Sequence, residues 1–426
     1  MHAAGCGQGG QTRRLRGIVA VSALIATTAV PAAAQTPPAA YTDDGQVPSA
    51  VQQLRRHRVD ATLNALTFRN MDEIFDTRVV PRSGPVWALP RRDAAALPGY
   101  SFGGERRAGE AFIDRTFTNA LLIMKDGRIV FERHYNNGGD GDHYIAYSMS
   151  KTITAMLVGI ALDKRLIRSI DDLASAYVPE LKNTAYDGVT IRQLLQMRSG
   201  ADVRESRGTV DGRKTEGQRV FDDVVVAGRM RFAEVALGAP RAAPPGSRFN
   251  YSTFDTAMLG WVLERATRQP VATFMTTWLW EPAGMESYGY FLADGPPGVG
   301  REMNGMGFNA TLRDYARLGQ LMLSKGIGPG GRRILPAGWV EQMTTIIPFA
   351  PDASRTFGTG YGLQLWRLDD STAYAAVGQQ GQYIYVDPET RTVVVKLSYY
   401  PPDAGPEVAA EAVAFFRAAA QWTPAP

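Results

Sequence analysis

Cysteine and histidine, which supply many nucleophiles, bases and metal ligands, are scarce in this sequence. Among 426 residues there are one cysteine, Cys6, and four histidines, of which His143 is the last. Cys6 precedes the N-terminal apolar run, so the chain beyond that run can form no disulfide, thiol nucleophile or cysteine-ligated metal site. The histidines are scattered and no H-E-x-x-H pattern occurs. We therefore expect no metal and no other cofactor.

Excess charge is also small. Lys and Arg total 46 and Asp and Glu total 42, which gives a formal net charge of +4. Residues 1–34 contain three arginines and no acid, so their removal would lower the charge to +1. Without a run of basic residues, a nucleic-acid partner is not expected. A small molecule or a wall-like substrate fits better.

The N-terminal apolar run predicts export. Arg13, Arg14 and Arg16 precede "GIVAVSALIATTAVPAAA", which ends in small residues before Gln35. A basic start, an apolar middle and a small-residue exit are typical of a secretory signal peptide, here residues 1–34. The alternative is a membrane anchor, but the run is interrupted and no stop-transfer pattern follows it. We expect a periplasmic or secreted protein without stable membrane insertion.

Residues 35–110 show little regular pattern and are predicted to form a flexible leader and an N-terminal arm that wraps the main domain. The main domain is predicted to span residues 111–426. It begins with two β-rich runs that flank Asp126-Gly127, a strong hairpin signal. A second hairpin turns at Asp387-Pro388 near the C-terminus. Helical patterns occur at about 150–161, 190–197, 255–267, 269–279, 311–324 and 406–421.

This order of elements predicts an α/β (α+β) fold. Its antiparallel sheet would be built from both chain ends and flanked by helices, with a mainly helical insertion at about 165–335. The long polar segment 201–231 lies between helical patterns. Segments of that length are commonly functional or disordered, and this one could cover a substrate cleft.

A serine and a lysine three residues apart open the first helical pattern of the main domain. Of seven lysines, only Lys151 has a serine, Ser148, at this spacing. Positions i and i+3 share a helix face, so the hydroxyl and the amine can converge. The field of a helix N-terminus disfavours a protonated lysine and stabilises negative charge beside the serine. The pair suits a Ser/Lys acyl-transfer enzyme; the alternative is a serine near a helix cap with a solvated lysine.

A rival nucleophile is Ser101 in the G-x-S-x-G pattern at 99–103. That pattern needs a strand before it and a helix after it, and α/β-hydrolases that use it carry a late histidine. Pro98 precedes the pattern, a charged segment without helical periodicity follows, and no histidine lies beyond His143. Ser101 is therefore interpreted as a loop residue. His143 is interpreted as the end of a hairpin loop.

From about residue 117 to 420 the sequence resembles the serine β-lactamase and penicillin-binding superfamily, in its class C and esterase-like branch. The S-x-x-K motif is Ser148–Lys151, and the Tyr-x-Asn motif is Tyr251-Ser252-Thr253. Within the superfamily the likeness is greatest to 6-aminohexanoate-oligomer hydrolases, which share "SMSK" and "GQYIYVDP". Other family-like stretches are "DDLASAYVPEL" at 171–181, "VTIRQLLQMRSG" at 189–200 and "ATLRDYARLGQLML" at 310–323.

The resemblance implies roles for these motif residues. Ser148 would be the nucleophile, and Lys151 and Tyr251 would share the proton as general base and then general acid. The backbone N–H groups of Ser148 and Gln379 would form the oxyanion hole. Three further residues would contact the substrate. Thr253 stands in place of the usual Asn, and Gly378 lets its strand approach the substrate closely. Trp366 would line the acyl side of the cleft; the alternative for Trp366 is packing in the core.

The third motif bears on the substrate. In β-lactamases and wall peptidases it usually starts with a cationic or hydrogen-bonding residue, whereas here it is Ala376-Val377-Gly378, or alternatively Gln380-Gly381. A substrate carboxylate would lack a partner there. The sequence therefore favours an amidase or esterase acting on small linear amides or esters. The alternatives are a class C β-lactamase, a D-Ala-D-Ala carboxypeptidase, or a sensor that is acylated without turnover.

Overall fold

The structure is a computed structural model that describes residues 47–94, 96–349, 357–401 and 403–425. The predicted signal peptide and its cleavage site at Ala34-Gln35 lie outside the described residues. The strands are β1 Thr77–Val80, β2 Tyr100–Phe102, β3 Glu105–Arg107, β4 Thr118–Lys125, β5 Arg128–His134, β6 Tyr144–Ile145, β7 Thr209–Val210, β8 Arg213–Lys214, β9 Gly289–Leu292, β10 Phe308–Ala310, β11 Ile347–Pro348, β12 Gly360–Tyr361, β13 Trp366–Arg367, β14 Tyr374–Gly378, β15 Gln382–Asp387 and β16 Thr392–Ser398.

The α-helices are α1 Ser49–His57, α2 Asn64–Thr67, α3 Ala111–Arg115, α4 Met149–Asp163, α5 Ile191–Leu195, α6 Glu216–Arg219, α7 Thr253–Thr267, α8 Val271–Met275, α9 Leu312–Leu323, α10 Trp339–Met343 and α11 Pro406–Gln421. Single turns of 3₁₀-helix lie at Met71–Glu73, Ala174–Ala176, Pro179–Leu181 and Pro329–Gly331, and a longer 3₁₀ segment spans Ala233–Gly238. Two π-helical segments occur, at Val220–Val226 and Thr276–Trp280.

The main sheet joins the two ends of the domain, as the sequence predicted. Its eight strands lie in the order β11-β12-β13-β14-β15-β16-β4-β5. Strand β16 pairs antiparallel with β4, from Thr392↔Lys125 to Ser398↔Thr118. The predicted Asp126-Gly127 turn connects β4 to β5 with positive φ at both residues, as a type I′ turn requires.

Helices cover both faces of this sheet because successive strand residues point to opposite sides. On β4, Leu122 packs into the core that includes α4 and α9, and Leu121 packs into the core under α11. Helix α4 is apolar nearly all round and is buried from Met149 to Ala161. It therefore lies between the main sheet and helix α7 of the helical insertion.

The prediction of an irregular N-terminal arm is wrong for much of residues 49–107. This segment contains α1, α2 and β1–β3, and β1 belongs to a second antiparallel sheet in the order β1-β9-β10-β6. Phe68, Met71 and Val80 are buried in the main core. These elements are too short to give a periodic signal, and their apolar residues are stabilised by long-range contacts. The insertion is mainly helical as predicted, but it also supplies β9 and β10.

Among the described residues, no helix is both long enough and apolar enough to cross a lipid bilayer.

Candidate active site

Ser148 lies at a tight junction between β6 and α4. Tyr147, directly before it, has φ 43° and is buried, so the chain turns sharply there. Ser148 occupies the N-cap position of α4. Backbone N–H groups on both sides fix the junction: Ala146 donates to Phe308 O at 2.7 Å, and Phe308 donates to Ser150 Oγ at 3.0 Å.

Lys151 is 1% exposed and reaches back to the serine. Its Nζ lies 2.9 Å from Ser148 Oγ, and it donates to Thr253 Oγ1 at 3.1 Å and to the carbonyl oxygen of Gly305 at 2.7 Å. Burial lowers the pKa of Lys151 to about 8, although the nearby carboxylate of Glu205 acts in the opposite direction. The predicted convergence of serine and lysine is therefore present, and the solvated-lysine alternative is wrong.

Tyr251 joins this pair from the segment before α7. The Lys151 Nζ lies 5.0 Å from the centre of the Tyr251 ring. Burial raises the pKa of Tyr251 above its usual value, and a hydrogen bond with Ser148 opposes that rise. The structure thus brings together the three residues that the motifs single out.

Trp366 packs against Tyr251 and is not among the residues that line the cavity containing Ser148. Its ring centre is 5.2 Å from that of Tyr251 and 4.8 Å from that of Tyr361. Phe249, Phe349 and Phe357 complete this aromatic cluster. The arrangement agrees with the packing alternative for Trp366 and holds the Tyr251 ring in place.

Glu205 is a site residue that the sequence analysis missed. It lies in the 201–231 segment, and its carboxylate accepts both the backbone N–H and the hydroxyl of Thr253, the latter at 3.0 Å. Thr253, which replaces the usual Asn, therefore connects Glu205 to Lys151. Glu205 could not be predicted from the sequence, because it is a single acid in a long polar loop and its partner Thr253 lies 48 residues further along the chain.

The end of β14 approaches the same junction. A Cβ added to Gly378 would lie 2.2 Å from the carbonyl oxygen of Ala146, so only glycine permits this contact. Gln379 follows and lines the cavity that contains Ser148, while Ala376 is buried within β14. The alternative motif, Gln380-Gly381, forms the β14–β15 turn with φ 62° and 88°. Gly378, rather than that turn, touches the segment that leads to Ser148.

A cavity of about 160 Å³ opens beside Ser148. The 201–231 segment, which contains β7, β8, α6 and the first π-helical segment, supplies much of its wall. Helix α1 packs against that π-helical segment, and Arg58 at its end reaches the cavity. The lining residues are Arg58, Tyr147, Ser148, Glu205, Arg207, Gly217, Val220, Phe221, Val225, Phe232, Thr253, Phe254, Met306 and Gln379.

The rival nucleophile and base do not assemble a site. Ser101 lies on β2, not in a loop as predicted, and β2 turns directly into β3 with no helix after it. His143 Nε2 bonds to the carbonyl oxygen of Tyr288 at 2.8 Å, and the two rings stack. A second buried Ser–Lys pair, Lys396 and Ser398, has no exposed surface at either residue. No substrate can reach it.

One group of side chains in the described part of the chain has the spacing of metal ligands. It consists of Glu132, His134 and Asp140. The guanidinium of Arg313 lies between these side chains, 2.6 Å from the Glu132 carboxylate and 2.9 Å from the Asp140 carboxylate. The carboxylates are thus neutralised by an arginine, which does not favour a metal.

Comparison with known proteins gives this geometry a context. The Beta-lactamase family profile matches residues 110–418. The chain belongs to the beta-lactamase family. It is 27% identical over 366 residues to a 6-aminohexanoate-dimer hydrolase of Paenarthrobacter ureafaciens, covering 81% of this chain and 88% of that protein. The resemblance inferred from the motifs is confirmed, and the chain is a hydrolase of the beta-lactamase and penicillin-binding superfamily.

Two solved structures share the fold. A Bacillus anthracis protein described as a candidate 6-aminohexanoate-dimer hydrolase aligns with a TM-score of 0.76 at 22% identity, over 86% of this chain and 96% of that one. A family VIII carboxylesterase aligns with a TM-score of 0.56 at 17% identity, over 73% and 95% of the two chains. These similarities confirm the predicted β-lactamase-like fold.

Proposed function

We propose that the protein hydrolyses linear amides or esters through an acyl-enzyme on Ser148. The observation that carries this proposal is the contact between the Lys151 amine and the Ser148 hydroxyl at 2.9 Å, beside an open cavity. Tyr251 lies close enough to the same hydroxyl to affect its own pKa, and in this proposal it completes the proton-transfer set.

The contacts of Lys151 support its role as a base. A neutral amine has two N–H groups and one lone pair. Gly305 O can only accept, so it takes one N–H. The Thr253 hydroxyl gives its proton to Glu205 and must accept from Lys151, so it takes the other. The lone pair is left to face Ser148 Oγ.

The reaction then has two halves. Ser148 Oγ attacks the substrate carbonyl carbon while its proton passes to Lys151 Nζ, directly or through Tyr251. The N–H groups of Ser148 and Gln379 stabilise the oxyanion. Collapse breaks the bond to the leaving amine or alcohol, which takes up that proton. Water, deprotonated by the same base, attacks the acyl-enzyme, and the proton returns to Ser148 as the acid product leaves.

The third motif and the relatives support this substrate class. Ala376 brings no charge to the strand beside Ser148. The Paenarthrobacter ureafaciens relative is named for a linear amide dimer. A linear amide or a short ester is therefore a better substrate than a bicyclic β-lactam.

A substrate panel tests the proposed function. Wild-type protein and Ser148→Ala are assayed with the linear 6-aminohexanoate dimer, p-nitrophenyl butyrate and a chromogenic cephalosporin. We expect turnover of the amide and the ester, little turnover of the cephalosporin, and a loss of several orders of magnitude in Ser148→Ala. Fast cephalosporin turnover with the amide and ester untouched would contradict the substrate class. A single acylation without turnover would indicate a sensor.

A further inference from the structure

The cavity beside Ser148 contains a buried guanidinium without an acidic partner. Arg58 is 8% exposed, and one of its Nη1 hydrogens is given to the carbonyl oxygen of Arg55 at 2.8 Å. None of the ion pairs formed by the described residues includes Arg58. Two further arginines, Arg55 and Arg207, lie close enough to oppose its charge.

A buried charge without a counterion is costly, and no ion pair within the described residues offsets the charge of Arg58. The ionisable group whose negative charge would favour the charged guanidinium is the phenol of Tyr147. Burial raises the pKa of Tyr147 to about 12, so this group stays neutral at ordinary pH and cannot serve as the counterion. Glu205 lines the same cavity, but its carboxylate contacts Thr253 and forms no ion pair with Arg58. Arg58 therefore has unused capacity to bind an anion.

The cavity wall also has an apolar part. Its apolar side chains are Val220, Phe221, Val225, Phe232, Phe254 and Met306. An aliphatic chain would bury methylene groups against this wall, and a carboxylate at its end could pair with the guanidinium. A neutral alkyl group would contact only the apolar side chains, and a compact anion would contact only the guanidinium.

We propose that Arg58 binds a carboxylate at the end of an aliphatic chain in the substrate. This inference rests on the proposed function and predicts that, among linear amides and esters, those whose chain ends in a carboxylate bind best. Arg58 lies outside residues 110–418, which match the family, so the N-terminal arm supplies a cation that the third motif lacks. The expectation from Ala376 that the cleft holds no partner for a carboxylate is thereby revised.

Competition by two small probes tests the proposal. Hexanoate and hexanamide have the same chain length and differ in charge. Each is titrated against labelling of wild-type Ser148 by a serine-directed fluorophosphonate. We expect hexanoate to protect Ser148 at concentrations at least tenfold lower than hexanamide. In Arg58→Met this preference should fall to within about twofold, and in Arg58→Lys it should be partly kept. Arg82→Met, an exposed arginine of the same arm, should behave as wild type.

The outcomes separate this inference from the proposed function. Equal protection by hexanoate and hexanamide in the wild type would overturn the carboxylate site, whether or not Arg58→Met folds. A hexanoate preference that survives in folded Arg58→Met would overturn the role of Arg58. Labelling at a serine other than Ser148 would instead overturn the proposed function.

Discussion

At the scale of single residues, burial alone does not make a lysine a base. Lys151 and Lys396 are both buried, and burial lowers the pKa of each. Only Lys151 contacts a serine that lines an open cavity, and only there can a proton move to or from a substrate. Under the proposed mechanism, the depressed pKa matters because it makes the neutral amine available near neutral pH.

The pH dependence of hydrolysis follows from this depressed pKa. Since the neutral amine of Lys151 is the active form, kcat/KM should rise with pH, with its midpoint at about pH 8. Lys151→Arg should be nearly inactive at every pH, because a guanidinium does not lose its proton. Initial rates with p-nitrophenyl butyrate between pH 5 and 10 would measure both effects. Activity of Lys151→Arg within about tenfold of wild type, roughly 1.4 kcal/mol in barrier height, would assign the base to Tyr251 instead.

Glu205 should affect the rate by orienting the Thr253 hydroxyl. In Glu205→Gln one carboxylate oxygen becomes an N–H₂ donor, so the Thr253 hydroxyl can turn and donate to the Lys151 lone pair. We expect the alkaline plateau of kcat/KM to fall by about tenfold. The midpoint should move to lower pH, because the carboxylate that raises the pKa of Lys151 is lost.

Combining Glu205→Gln with Thr253→Asn separates the effect of Glu205 on the orientation of the Thr253 hydroxyl from the effect of its charge on Lys151. An Asn at position 253 accepts through its amide oxygen, so Glu205→Gln should cost little further rate in Thr253→Asn. Glu216→Gln, in the same loop but bonded to the Arg204 N–H, is the matched control. A shifted midpoint with an unchanged plateau in Glu205→Gln would show that the carboxylate acts only through its charge.

At the scale of elements, the sequence predicted what local patterns determine. Helix α4, the two hairpins and α11 have strong periodicity or turn signals, and each was found close to its predicted bounds. The approach of β14 to Ser148 could not be predicted in the same way. Its sequence is short, two motif alignments were open, and its register against Ala146 depends on a contact between residues more than 200 positions apart.

The variant Gly378→Ala tests the close approach of β14 to the segment that leads to Ser148. In Gly378→Ala the new methyl group would lie 2.2 Å from the carbonyl oxygen of Ala146, so β14 or the Ser148 junction must move. We expect a destabilisation of about 1–3 kcal/mol and a lower kcat, because the Gln379 N–H moves away from the oxyanion. Thermal unfolding and steady-state kinetics would measure the two effects. Gly139→Ala, where a Cβ meets no atom within 4 Å, is the control, and equal behaviour of the two variants would contradict the account.

At the scale of the whole molecule, the family and the sheet built from both chain ends were predictable because their motifs are local. The cavity was not, because its wall includes three segments that are distant in sequence: the arm at Arg58, the loop at Glu205 and the turn at Gln379. Neither Arg58 nor Glu205 belongs to a recognisable motif. The three segments meet only through the tertiary fold, which places α1 against the π-helical segment of the loop.

Export is a prediction about the whole chain that rests on residues outside the described ones. The basic, apolar and small-residue pattern of residues 1–34 predicts cleavage near Ala34-Gln35. N-terminal sequencing of the protein from its native host should find a mature chain that begins near Gln35. A chain that still begins at Met1 would contradict the prediction.

The central claim is that Ser148 is the nucleophile, and covalent labelling tests it most directly. The protein is treated with a serine-directed fluorophosphonate, digested and analysed by mass spectrometry. The account predicts one modified peptide that contains Ser148, slower modification in Lys151→Arg, and none at this position in Ser148→Ala. Modification at Ser101 or another serine, with hydrolysis lost in parallel, would contradict it.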